Sequence, residues 1–143
     1  MLPRRSSLPL RFLLCSFLTV FCATAGLHAD VIISEFVASN QTGILDEDGD
    51  QVDWIELFND GATPVNLSGW RLTDDSTDPA KWTFPAVPLE PKGFLLVFAS
   101  GKDRRSASGV LHTNFKLSSN GGYLALFRND GSLAHSYPNY PAQ

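Results

Sequence analysis

The amino-acid sequence predicts an all-β fold, a sandwich of short strands, behind an N-terminal export signal. Three observations carry this. Past residue 29, no segment sustains the apolar period of a helix. Instead, short runs rich in Val, Ile, Phe, Tyr and Trp alternate with clusters of Gly, Pro, Asn, Asp and Ser, the punctuation of strands and turns. With 43% hydrophobic and 18% charged residues in a chain of 143, there is material for one core, and the composition is not that of a disordered tail.

The first segment carries Arg4, Arg5 and Arg11 and no acid, then an apolar run over 12–25, then small residues. This is the charged, apolar and small-residue pattern of a secretory signal. The apolar run is short of the roughly 20 residues that cross a bilayer. We expect a signal-peptide helix over 1–29, cleaved after Ala25 or Ala29, and one domain over 30–143. Arg4-Arg5 resembles a twin-arginine signal, but the residues after it match poorly. Cys15 and Cys22 both fall in this segment. Phe21 is bulky where acylation of Cys22 needs a small neighbour. The expected mature domain therefore has no cysteine, no disulfide and no thiol chemistry. Removing the three arginines leaves eight basic against 15 acidic residues, a net charge of −7. Such a surface repels nucleic-acid phosphates unless it holds a basic patch. Lys102, Arg104 and Arg105 form one small basic cluster, read as a solvated loop.

Residues 31–38, rich in Val, Ile and Phe, open the domain as a strand. The polar, acidic 39–50 is a loop. A second strand over 52–58 ends at the turn Asn59-Asp60-Gly61. Short strands at 65–67 and 70–73 are separated by Ser68-Gly69, and another lies at 81–84 after a polar loop. Pro85, Pro88 and Pro91 make the next stretch extended and unpaired, because proline brings no N–H to a ladder. Residues 94–99 (FLLVFA) are apolar throughout, too short for a helix, and bounded by Gly93 and Gly101. They read as a buried central strand. A polar, basic loop follows over 100–110. Strands at 112–117, 123–128 and 132–137 complete the domain, the last two joined by a tight hairpin at Asn129-Asp130-Gly131. Seven or more short strands in about 110 residues is the count of an immunoglobulin-like sandwich.

Six stretches carry a family resemblance. They are VIISEFVASN (31–40), DEDGDQVDWIELFN (46–59), VNLSGWRLTDD (65–75), KWTFP (81–85), GFLLVFASGKD (93–103) and HTNFKLSSNGGYLALF (112–127). In this order they resemble the lamin tail domain family in its bacterial, secreted form. The resemblance covers nearly all of 31–141. It implies an immunoglobulin-like sandwich serving as an interaction module or as an add-on beside hydrolase domains, and it brings no catalytic residues. The end at 137–143 departs from relatives in which a similar region leads into more chain, so the expectation is either a domain truncated at its C-terminus or the front module of something longer.

The acidic loop is the main candidate for chemistry. Asp46, Asp48, Asp50 and Asp53 lie within eight residues, with Gly49 to let the loop turn. Hard cations take six to eight oxygens, so these carboxylates form a candidate calcium site. It is not an EF-hand, because Gly49 comes too early and Leu57 stands where a glutamate belongs. The alternative is a solvated loop satisfying its own amides. Glu35 and Glu56 lie on two expected strands, and if these pair the two carboxylates are candidates for acid–base work. No other catalytic feature accompanies them. His112 and His135 read as isolated, and the serines have no nucleophile context. Trp54, Trp70 and Trp82 read as core, with Trp82 the one that could instead serve as a ligand platform.

The expected function is a non-catalytic, secreted, periplasmic or cell-surface module. It would dock a protein or polysaccharide, or serve a catalytic neighbour. The alternative is a calcium-stabilised adhesion or carbohydrate-binding module, and a third reading is a small hydrolase using Glu35, Glu56 and the aspartates. No nucleic-acid partner, no transmembrane span in the mature protein and no certain cofactor are expected.

Overall fold

The structure, a computed structural model, describes residues 31–143. The expected signal helix, its cleavage site and both cysteines lie outside the described residues. Among the described residues every regular element is a strand, and no helix is long and apolar enough to cross a membrane. The strands are β1 (Val31–Val37), β2 (Asp53–Asn59), β3 (Val65–Asn66), β4 (Arg71–Thr73), β5 (Trp82–Thr83), β6 (Pro88–Leu89), β7 (Phe94–Ala99), β8 (Leu111–His112), β9 (Gly122–Phe127) and β10 (Leu133–Tyr140).

Two four-stranded sheets run β1-β2-β7-β8 and β10-β9-β4-β5, and β3 pairs with β6 in a small ribbon. All ladders are antiparallel except β7–β8. Val31, Ile33, Ile55, Leu57 and Val97 of the first sheet pack in one cluster with Leu72, Trp82, Leu124 and Leu126 of the second. This all-β arrangement of sheets on one core is consistent with an immunoglobulin-like sandwich.

The two-residue period of a strand sorts β2 cleanly. Ile55, Leu57 and Asn59 are buried, while Trp54, Glu56 and Phe58 alternate with them on the outer, half-buried face. Asn59 is fully buried because its side chain completes backbone bonding: Nδ2 donates to the carbonyls of Thr63 (2.8 Å) and Leu89 (3.0 Å), and Oδ1 accepts from Gly61 N–H (3.0 Å). Trp82 has no exposure and Trp70 has 6%, so both are core. The platform role considered for Trp82 is thereby excluded. Trp54, expected in the core, faces outward instead, since its position in β2 has the opposite parity to Ile55.

Three elements differ from the expectation, the first being the strand expected over 112–117, which is reduced to β8 at Leu111–His112 and an isolated bridge between Lys116 and Ser100. The proline-rich stretch is not wholly unpaired: β6 pairs Leu89 with Val65 and Pro88 with Asn66. A ribbon of two residues has free edges, where a missing N–H costs little. At 129–131 only Gly131 takes a positive φ (87°), with Arg128 N–H donating to Ser132 O and Gly131 N–H to Arg128 O. This is a three-residue hairpin with glycine at its left-handed position.

Candidate functional site

The acidic loop joins β1 to β2 and folds on Asp46. The Asp46 side chain is fully covered, and its Oδ1 accepts the amides of Asp48 (3.0 Å) and Asp50 (2.9 Å). Asp46 N–H donates to Asp50 O, and Gly49 N–H to Asp46 O. These local bonds hold the carboxylates of Asp46, Asp48 and Asp50 on one side of the loop. Lys102, from the loop after β7, places its Nζ among them, at 2.5 Å from Asp46, 2.6 Å from Asp48 and 2.8 Å from Asp50. Arg104 then bridges Glu47 (2.5 Å) and Asp48 (2.7 Å).

Titration follows this packing. Burial alone would raise the Asp46 carboxyl, but Lys102 and the amides of Asp50 and Asp48 outweigh it and hold it below its ordinary value. Arg104 and Lys102 pull Asp48 down to about 2. Glu47 is also lowered, with burial opposed by backbone bonding, His112 and Arg104. In return Lys102 is raised, first by Asp46, and Arg104 is raised, first by Asp48.

Of the four aspartates read as a calcium site, three converge and Asp53 does not join them. Asp53 opens β2, its Oδ1 accepts Asn40 N–H (3.1 Å), and burial raises its pKa. The basic cluster does lie in an exposed loop, but its side chains have acidic partners. Lys102 and Arg104 are the counter-ions of the acidic loop, and Arg105 pairs with Asp103 while lying 5.7 Å from the Trp82 ring centroid.

His112, expected to be isolated, is the buried link between these loops. Its Nε2 bonds Glu47 Oε2 (2.8 Å), its Nδ1 bonds Ser100 Oγ (2.8 Å), and its ring stacks on Phe98. A carboxylate only accepts, so Nε2 carries a proton. In the neutral ring, Nδ1 then accepts from the Ser100 hydroxyl. The order Ser100–His112–Glu47 is that of a hydrolytic triad, here set in a network of buried and half-buried groups. His112 has no exposure, and Ser100 Oγ already accepts the Lys102 amide (3.1 Å). The cleft beside Ser100 measures about 120 Å³.

Glu35 and Glu56 are register partners on the outer face of the first sheet. Ser34 Oγ donates to Glu56 Oε1 (2.7 Å). His135, half-buried on β10, packs edge-on against Tyr137 and is lowered in pKa by burial. The structure thus brings neither glutamate to a histidine.

Sequence reasoning missed Glu47, Ser100, Lys102, Arg104 and His112 as one network. The available signal was the complementarity of Asp46-Glu47-Asp48-Gly49-Asp50 with Lys102-Asp103-Arg104-Arg105.

No curated protein matches the chain. The model of one family, the Lamin Tail Domain, matches residues 25–140, a span that takes in all ten strands and both loops of the network. The chain belongs to the lamin tail domain family.

Proposed function

We propose that this domain is a non-catalytic interaction module, exported to the periplasm, cell surface or medium, where it docks a protein or polysaccharide or serves a catalytic neighbour. The observation that carries the reading is the closure of the polar network. Its cations and carboxylates are spent on one another, and its histidine is buried between a serine and a glutamate. Membership of a family of immunoglobulin-like interaction domains supports it. Among the described residues Glu56 takes a hydrogen bond from Ser34, and neither Glu56 nor Glu35 is bonded to a histidine that could serve as its acid–base partner. The purified chain should turn over no ester, phosphodiester or glycan in a substrate panel. Turnover that disappears in Glu35→Gln, Glu56→Gln or Ser100→Ala would overturn the reading.

The convergence of Asp46, Asp48 and Asp50 favours a second reading, a calcium-stabilised module. Calcium would need to displace the Lys102 ammonium from the same three carboxylates. Thermal melts with millimolar calcium and with chelator separate the two readings. An ion-specific rise that Asp48→Asn with Asp50→Asn abolishes supports calcium. Equal melts support Lys102 as the resident cation.

A further inference from the structure

We propose that the outer face of the β1–β2–β7 sheet docks a protein segment bearing an arginine or lysine flanked by apolar side chains. This rests on the interaction-module reading and names its face and the chemistry of its partner.

The register defines the face. Ile32, Phe58 and Phe94 form one row across the three strands, and Glu35, Glu56 and Leu96 form the next. The bulge at Ser34 turns Ser34 and Glu35 to the same side as Glu56. A strand as apolar as β7 is expected to be covered on both faces, yet its outer face is closed only at Phe98, which is buried against His112, and is open at Phe94. Phe94 is 61% exposed, and its ring lies on Phe58 with centroids 4.6 Å apart. Beside this row the edge of β7 is open, because β8 pairs only with Val97 and Phe98. A cleft of about 380 Å³ opens there, lined by Leu95, Leu96 and Val110 among others. Leu96 belongs both to the face and to the cleft.

Charge selects the occupant. Like charges directly opposite on neighbouring strands are destabilising. Among the described residues no salt bridge pairs Glu35 or Glu56 with a base. Lys92, whose Nζ lies 5.9 Å from the Phe58 centroid, is paired with Asp60. A guanidinium or ammonium brought by a partner would sit between two carboxylates and beside stacked aromatic rings, a setting that favours cations twice over. A second copy of this chain is the wrong occupant, since a symmetric pairing would set glutamates against glutamates. The acidic balance of the whole chain, −4, draws in the same class of partner.

The test is a titration of the ¹⁵N-labelled chain with acetyl-Phe-Arg-Val-Arg-Phe-amide, with the Glu-for-Arg peptide and cellohexaose as comparisons. The arginine peptide should shift the amides of Ile32, Glu35, Glu56, Phe94 and Leu96, and the glutamate peptide should not. Glu35→Gln with Glu56→Gln should weaken binding roughly tenfold. Phe94→Ala, at an exposed site that leaves the core intact, should weaken it as well. Equal binding of both peptides, shifts confined to another surface, or cellohexaose shifting this face while the arginine peptide does not would overturn the proposal. Cleavage of the peptide in the same tube would overturn the non-catalytic reading instead.

Discussion

Lys102 is the residue on which the polar network turns. Its ammonium occupies the point where three carboxylates meet, so removing it leaves them facing one another. Lys102→Met should therefore lower the melting temperature and create a calcium-dependent rise that the parent chain lacks, measured by melts with calcium and with chelator. The pH dependence follows from the same contacts. Asp48 titrates at about 2 in the folded chain against an ordinary 3.8, and Asp46 and Glu47 are also lowered. A depressed carboxyl stabilises the fold above its unfolded pKa, and that contribution fades as pH falls through the folded one. Stability should thus decline as pH drops from about 4 towards 2, and Asp48→Asn should flatten that limb in acid-denaturation curves. Asp53 has the opposite sign. Burial raises its folded pKa, so its ionised form is penalised at neutral pH. Asp53→Asn keeps an oxygen for the Asn40 amide and should hold or raise the melting temperature at pH 7. Asn59 is a purely structural counterpart. Asn59→Ala would strip partners from the Thr63 and Leu89 carbonyls, at a cost of about 1–3 kcal/mol by denaturant titration.

Among the elements, the turn into β9 is the least tolerant. Gly121 has φ +91°, and a Cβ there would lie 2.7 Å from the Tyr140 carbonyl oxygen. Gly121→Ala must both adopt a strained backbone and push β10 away. Tyr140 is buried, and its hydroxyl accepts the Ser118 amide (3.0 Å), so the β9–β10 closure is bound at both ends. We expect a loss of more than about 1–3 kcal/mol, the usual cost of a strained site, with earliest amide exchange in β10. On the other sheet, the β1 bulge places two residues opposite Glu56 and thereby sets which groups meet on the outer face.

For the molecule as a whole, one apolar core joins both sheets, and no cysteine occurs among the described residues. Trp82 is its largest fully buried side chain. Trp82→Ala should cost about 3–5 kcal/mol. Against a total of roughly 5–15 kcal/mol this is a large share, so the melting temperature should fall by roughly 10 °C or more, measurable by circular dichroism. Trp54→Ala, half-buried on the outer face, should cost distinctly less, so the pair tests the parity of β2 directly.

The order of the strands, the all-β class, the acidic loop before the second strand and the family were legible in the sequence. Each of these depends on local composition or on motifs in order along the chain. Only the tertiary structure decided that Trp54 faces out while Trp82 is enclosed. Side-chain direction in a strand has a period of two, and a one-residue shift of a strand boundary or a bulge such as that at Ser34 reverses it. The same holds for the acidic loop. Its aspartates advertise a cation, but which cation depends on whether another loop can reach them. Lys102 lies 56 residues from Asp46 in the chain, and it arrives there because β2 and β7 are neighbours in the sheet. His112 joins the network because β8 runs parallel to β7 along its other edge, a pairing that no local pattern encodes.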